Sequence, residues 1–264
     1  KIVKKNNFIN ISSMPNNSFI LCSEGYGPKV VKTDRFGFRN PDFLWDEAID
    51  TVLIGDSFVE GQCVDYEDSI PGILNNNNIK TINLASGGNS SIYYAALSKI
   101  YLDALKPKNI ILMFHENDNS LVDSSELITK YYTSLDQNNF FIKKNGKLVI
   151  SEKYEKFNKD IMNYLNNNNK STTIIFKIKS NLSKLKKYLL LTHIREYYHF
   201  TFNEGELFDS TKSAIDQVIN YCKLNNCHVH IGLLKSSSFW DPRFFYGNLR
   251  GSLVKYLNKF DIKL

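Results

Sequence analysis

Several absences narrow the field before any motif does. The chain has no run of about 18 apolar residues, so no segment reads as a membrane-spanning helix. Its four cysteines, Cys22, Cys63, Cys222 and Cys227, form no CxxC pair and no zinc-ligand spacing. Neither common glycine-rich phosphate loop is present, which ranks a phosphate- or nucleotide-binding domain last. Charge of one sign is also scarce. Against 27 acidic residues stand 33 basic ones, a net +6 with no long basic arm. Nucleic-acid binding normally needs a clustered excess, so no nucleic-acid partner is expected. An anionic surface, an acidic polysaccharide or a membrane, stays compatible. No signal peptide is visible and the first residue is Lys1 rather than Met. The expectation is a mature or excised form, with a targeting segment or anchor ahead of it that would bring it near a membrane.

At 264 residues and 42% hydrophobic, the chain can bury a sizeable core as one domain with insertions. Residues 1–48 are rich in Asn, Ser, Gly and Pro and read as an irregular segment packed on the domain, with one compact cluster, "TDRFGFRNPD" (33–42). From residue 49 to 264 strands alternate with helices. Strands are predicted at 50–55, 80–85, 109–114 and 228–234, and a fifth begins at "DIKL". Helices are predicted around 67–74, over 90–105 with Ser90 or Ser91 as cap, over 209–224 with Asp209 or Ser210 as cap, and near 248–258. On the 90–105 helix, Ile92, Ala96, Ile100 and Ala104 recur on one face. The 109–114 strand is continuously apolar, as a parallel strand covered on both sides should be.

An insertion at about 120–205 interrupts the rhythm. It holds a hairpin at 138–150 turning on Asn145-Gly146, and a basic amphipathic helix at 177–198. That helix reads as an ordinary solvated face, with a lid or surface-binding role as the alternative. The Asn runs at 75–78 and 165–169 read as loop tips. The expected class is α/β: a three-layer α/β/α, flavodoxin-like parallel sheet carrying this insertion.

Ligands of such sheets bind at the carboxyl ends of the strands. Three loops there carry chemistry: Ser57 in "LIGDSFVEG", Gly87-Gly88 in "NLASGG", and Glu116-Asn117-Asp118 in "HENDN". A hydroxyl, a glycine N–H and an uncharged amide make a nucleophile with two oxyanion donors. These boxes resemble those of the SGNH (GDSL-type) hydrolase family. "TDRFGFRNPD" is similar to a segment preceding the GDS box in bacterial members associated with cell-surface polysaccharides. The resemblance implies Ser57 as nucleophile and Gly88 and Asn117 as oxyanion donors, with Asp56, Gly87 and His115 in support. Asp56 is expected to stabilise the turn rather than move protons.

Two features depart from the family pattern. His115 stands where its third box usually has glycine, and reads as a pocket-lining residue. The Asp-x-x-His box that supplies the family's general base is not in this chain: Asp241, Asp261 and the five histidines lack that spacing. The expectation is that the chain stops before the box, inside a core strand. His228 and His230 share a strand face without an evident third metal ligand, and His193 and His199 lie in the insertion. No metal and no cofactor are expected.

The function implied is a serine esterase or O-acyltransferase on acyl esters, with a cell-surface glycan as substrate and an extracytoplasmic location. The alternative is a non-catalytic glycan-binding module of the same fold. The cysteines read either as two disulfides or as four reduced, buried thiols. In the first case a Cys22–Cys63 bridge would tie the N-terminal segment to the loop after Ser57; a Cys222–Cys227 bridge is feasible but less expected.

Overall fold

The computed structural model describes residues 11–22, 28–115, 118–119, 135–168, 207–234 and 249–262. At its centre is a sheet of four parallel strands in the order β4-β3-β5-β8: β3 (Thr51–Ile54), β4 (Thr81–Asn83), β5 (Asn109–His115) and β8 (His228–Leu234). β3 therefore lies between β4 and β5, with Thr51 opposite both Thr81 and Asn109. β5 pairs along its full length with β8, from Asn109–His228 to His115–Leu234. Among the described residues six α-helices accompany the strands: α1 (Ser57–Glu60), α2 (Ile70–Asn76), α3 (Ser91–Leu105), α4 (Glu152–Asn168), α5 (Asp209–Asn225) and α6 (Leu249–Leu257). The class is α/β, as read from the alternation.

Helix α3 is the hub. Its expected face, Ile92, Ala96 and Ile100, is buried, but so are Tyr94, Leu97, Tyr101 and Leu102. A helix apolar nearly all round must be covered all round. Here it packs against α5 and β3, and Tyr101 also meets Phe36 and Phe38 of the N-terminal segment edge-on, at 6.2 and 5.5 Å. Strand β5 alternates in burial rather than being uniformly covered: Ile110, Leu112 and Phe114 join the main core, while the half-buried Ile111 and Met113 pack on a second cluster with Leu53, Val59 and Ala85. Ile70 and Leu74 of α2 cover that second cluster.

Local signals were overridden in several places. Residues 1–48 are not wholly irregular: β1 (Ser18–Cys22) and β2 (Lys29–Lys32) pair antiparallel. Ser90 occupies the N-cap of α3 without a side-chain cap bond, and the Ser91 hydroxyl instead donates to the Asp118 carbonyl at 2.8 Å. For α5 the N-cap is Phe208, not Asp209 or Ser210. The helix expected at 67–74 is split by Ser69, which caps α2 through the Gly72 N–H after a 3-10 turn at Tyr66–Asp68.

Asn75 is no loop-tip residue. Its amide donates to Thr81 O and its oxygen accepts from Thr81 N, so it pins α2 to β4. Near the end of the chain, a 3-10 turn over Asn258–Phe260 leads to Asp261 at φ 57, so 261–262 are not strand; 263–264 lie outside the described residues. The predicted hairpin is present, β6 (Phe141–Lys144) against β7 (Lys147–Ile150), turning at Asn145-Gly146. The basic helix at 177–198 lies outside the described residues.

Candidate active site at the carboxyl edge

Strand β3 ends at Ile54 and α1 begins three residues later, so the chain reverses within Gly55-Asp56. The turn needs glycine for space, not for a positive φ: a Cβ on Gly55 would sit 2.4 Å from Val59 Cγ2. Asp56 caps α1, accepting from Phe58 N at 3.0 Å, which is the turn-stabilising role expected of it. Such a cap contributes about 1 kcal/mol. Burial pushes the Asp56 carboxyl up, against the hydrogen bond from Phe58 and the attraction of His115. Ser57 is then the first helical residue. It is half-buried, and among the described residues its hydroxyl makes no hydrogen bond.

Two glycines follow β4, and the structure separates their roles. The Gly87 N–H donates to Glu60 Oε2 at 2.7 Å. Gly88 is exposed at φ +80, a backbone region where Cβ-bearing residues are strained. Nothing lies within 4 Å of the position a Gly88 Cβ would take, and among the described residues no atom accepts its N–H.

At the end of β5, His115 donates its backbone N–H to Asp118 Oδ2 at 2.6 Å, and its ring stacks on Phe58 with centroids 4.7 Å apart and planes 18° from parallel. Asp118 is itself buried and also accepts from Tyr94 OH at 2.9 Å. The next residue, Asn119, binds Phe208 N and Thr211 Oγ1, each at 2.9 Å, and so joins this loop to α5. Asn117, expected as the second oxyanion donor, lies outside the described residues, as do Glu116, His193, His199 and Asp241. His228 and His230 are exposed on β8. Among the described residues no three His, Cys, Asp or Glu side chains are grouped to hold a metal ion.

Sequence reading undervalued the scaffold behind these loops. Glu60 is buried at the end of α1, and its carboxylate binds Gly87 N and Gln62 Nε2, linking the first loop to the second. Burial pushes its carboxyl up, against those hydrogen bonds and the charge of Arg39. The Arg39 guanidinium donates to the Gly61 carbonyl and, at 2.9 Å, to Val64 O. Asn40 brackets β4, donating to Asn83 O at 3.0 Å and accepting from Asn83 N at 2.8 Å.

Asp34, 1% exposed, organises the segment that delivers Arg39 and Asn40. It accepts from Phe36 N, Phe38 N, Asn40 Nδ2 and Trp45 Nε1. The "TDRFGFRNPD" cluster thus reaches the site through the Arg39 and Asn40 side chains, which bond backbone atoms of Gly61, Val64 and Asn83. Its available signal was the spacing of Asp34, Arg39 and Asn40 around two aromatics. Without the fold, nothing tied those residues to the loop after Ser57.

The same loop is held covalently. Cys22 and Cys63 are disulfide-bonded across a separation of 41 residues, and Lys29 pairs with Asp65 at 2.6 Å. Cys222 and Cys227 form a second disulfide between the end of α5 and the start of β8. Both bridges are present, including the one less expected from sequence. No helix among the described residues is long and apolar enough to cross a membrane.

The three strands next to one another, β4, β3 and β5, therefore present at one sheet edge a stacked His–Phe pair and, among the described residues, an unengaged serine hydroxyl and an open glycine N–H. Comparison of the chain with protein-family models, with curated proteins and with solved structures returned no match.

Proposed function

We propose that this protein is a serine esterase or O-acyltransferase of SGNH type, acting on acyl esters of a cell-surface glycan. The observation that carries the reading is the division of labour at the edge: among the described residues Ser57 has no competing hydrogen bond, and of the two glycines only Gly88 keeps its N–H open. In this reading the Ser57 oxygen attacks the ester carbonyl and the alcohol leaves. The acyl-enzyme then passes its acyl group to water or to a sugar hydroxyl. Gly88 N–H and the Asn117 amide stabilise the oxyanion; losing one such donor costs about 2.7–4 kcal/mol of transition-state stabilisation. The proton of Ser57 passes to a general base and from it to the departing alcohol.

The reading extends to a three-layer, flavodoxin-like arrangement, supported by apolar clusters that draw on alternate residues of β5. It extends also to a periplasmic or cell-surface location, supported by the two disulfides. The glycan substrate rests on the family resemblance, since a fold does not fix a substrate.

A second reading, a glycan-binding module without catalysis, is favoured by one observation: among the described residues no base is bonded to Ser57. Hydrolysis of an aryl acetate by the full-length natural protein and by its Ser57→Ala variant separates the two. The esterase reading expects the variant to lose at least a thousandfold in rate. Equal rates would leave the binding module.

A further inference from the structure

Phe58 follows the nucleophile directly, yet it is 58% exposed, while its helix neighbours Val59 and Glu60 are buried. Single exposed apolar residues are common on protein surfaces, but this one stands at the sheet's ligand edge, next to Ser57, with its ring stacked on another. The ring is not free to wander. One face lies against His115 at 4.7 Å and 18°, close to parallel. His115 is in turn held by its own backbone bond to Asp118. Register explains why the two rings meet beside the serine: Ile54 pairs with Leu112, and three residues further along each strand stand Ser57 and His115. The result is a preoriented aromatic plane next to Ser57, backed by an imidazole and 58% exposed.

We propose that Phe58 is the specificity-determining platform of this site, stacking the C–H face of the sugar ring that bears the ester. The proposal rests on the esterase reading above. The chemistry of the plane selects a ring over an acyl chain. An acyl chain gains most where it is wholly removed from water. A pyranose has an apolar face and a hydroxyl rim, so it gains from a flat wall that leaves its rim wet. That geometry suits an aromatic that stays more than half exposed. His115 acts here as a positioning residue, fixing the plane of Phe58.

The test uses the full-length protein and two substrates with the same acyl group, 6-O-acetylglucose and vinyl acetate; the second has no ring. Phe58→Ala and Phe58→Leu are expected to lower kcat/KM for the sugar ester about tenfold more than for vinyl acetate, through KM. Phe58→Tyr, which keeps the plane, restores the ratio, and His115→Ala lowers it in the same direction. Thermal unfolding of each variant shows that it is folded. An unchanged ratio in Phe58→Ala overturns the proposal, as does a loss that grows with acyl length across vinyl acetate, butyrate and octanoate. Either outcome leaves the esterase reading intact if Ser57→Ala abolishes turnover of vinyl acetate. Turnover that survives Ser57→Ala overturns both.

Discussion

Replacing Asp34 with alanine should destabilise the fold more than any other single change in the N-terminal segment. Its two oxygens accept four hydrogen bonds: Oδ1 from Phe36 N at 2.8 Å and Phe38 N at 2.9 Å, Oδ2 from Asn40 Nδ2 at 2.9 Å and Trp45 Nε1 at 2.8 Å. Asn40 keeps a second partner in Asn83 O, so Asp34→Ala strands three donors rather than four. At about 1–3 kcal/mol per stranded buried donor, the loss is about 3–9 kcal/mol, comparable to the whole stability of a typical domain.

Asp34→Asn is the informative partner. It keeps one oxygen for the two backbone N–H groups and sheds the buried charge, but strands the Trp45 N–H and turns its own amide N–H groups toward donors. With two buried groups stranded rather than three, its expected loss is about 2–6 kcal/mol. Urea unfolding followed by tryptophan fluorescence measures both. An Asp34→Ala variant within about 1 kcal/mol of the parent, or no weaker than Asp34→Asn, would refute the reasoning.

The same pair of proteins tests a pH dependence. Burial pushes the Asp34 carboxyl from 3.8 up to about 6, against the pull of its hydrogen bonds. Between those values the folded chain holds a proton that the unfolded chain has released. Stability from this group is therefore greatest near the lower value and falls as pH rises to about 6. The parent should show that decline relative to Asp34→Asn, in which the group no longer titrates. Parallel pH curves for the two would count against it.

Gly88→Ala should lower activity far more than stability: the backbone at φ +80 resists a Cβ by about 1–2 kcal/mol, nothing obstructs the methyl itself, and the N–H moves off its line. Steady-state kinetics beside a melting curve will show whether the two effects separate. Gly55→Ala forces a methyl against Val59 Cγ2 at 2.4 Å, and overpacking of that kind costs about 1–3 kcal/mol, with a shift of α1 that displaces Ser57; the companion Val59→Ala should recover part of the loss in the same denaturation assay. Removing the Cys22–Cys63 bridge as a double serine variant opens a separation of 41 residues, worth about 4 kcal/mol by loop entropy. The Cys222–Cys227 pair spans only 5, worth about 2 kcal/mol, so the first double variant should unfold at clearly lower urea than the second.

Much of the framework was legible because it rests on local periodicity. The α3 stripe of Ile92, Ala96 and Ile100, the Asn145-Gly146 hairpin and the strand at 109–114 each announce themselves within a few residues. Caps were less legible. Ser91 and Asp209 are good cap residues, but Ser91 finds a better use in the buried Asp118 carbonyl, and Asp209 sits inside the first turn of α5 with Phe208 ahead of it. Asn75 looked like compositional bias because its role depends on Thr81, which only the α2–β4 connection brings alongside.

What the sequence determines by itself is the order of elements and the placement of Ser57, Gly88 and His115 at or shortly after the ends of strands, because strand–turn–helix punctuation is local chemistry. Tertiary structure alone decides which N–H at the edge is open. The Gly87 amide is taken by Glu60 across a sequence gap of 27 residues, and that pairing exists only once β3 and β4 lie side by side. The same is true of the Phe58–His115 plane and of Arg39 holding the loop after α1. Each joins segments far apart in the chain, and so depends on the parallel pairing that no short window of sequence contains.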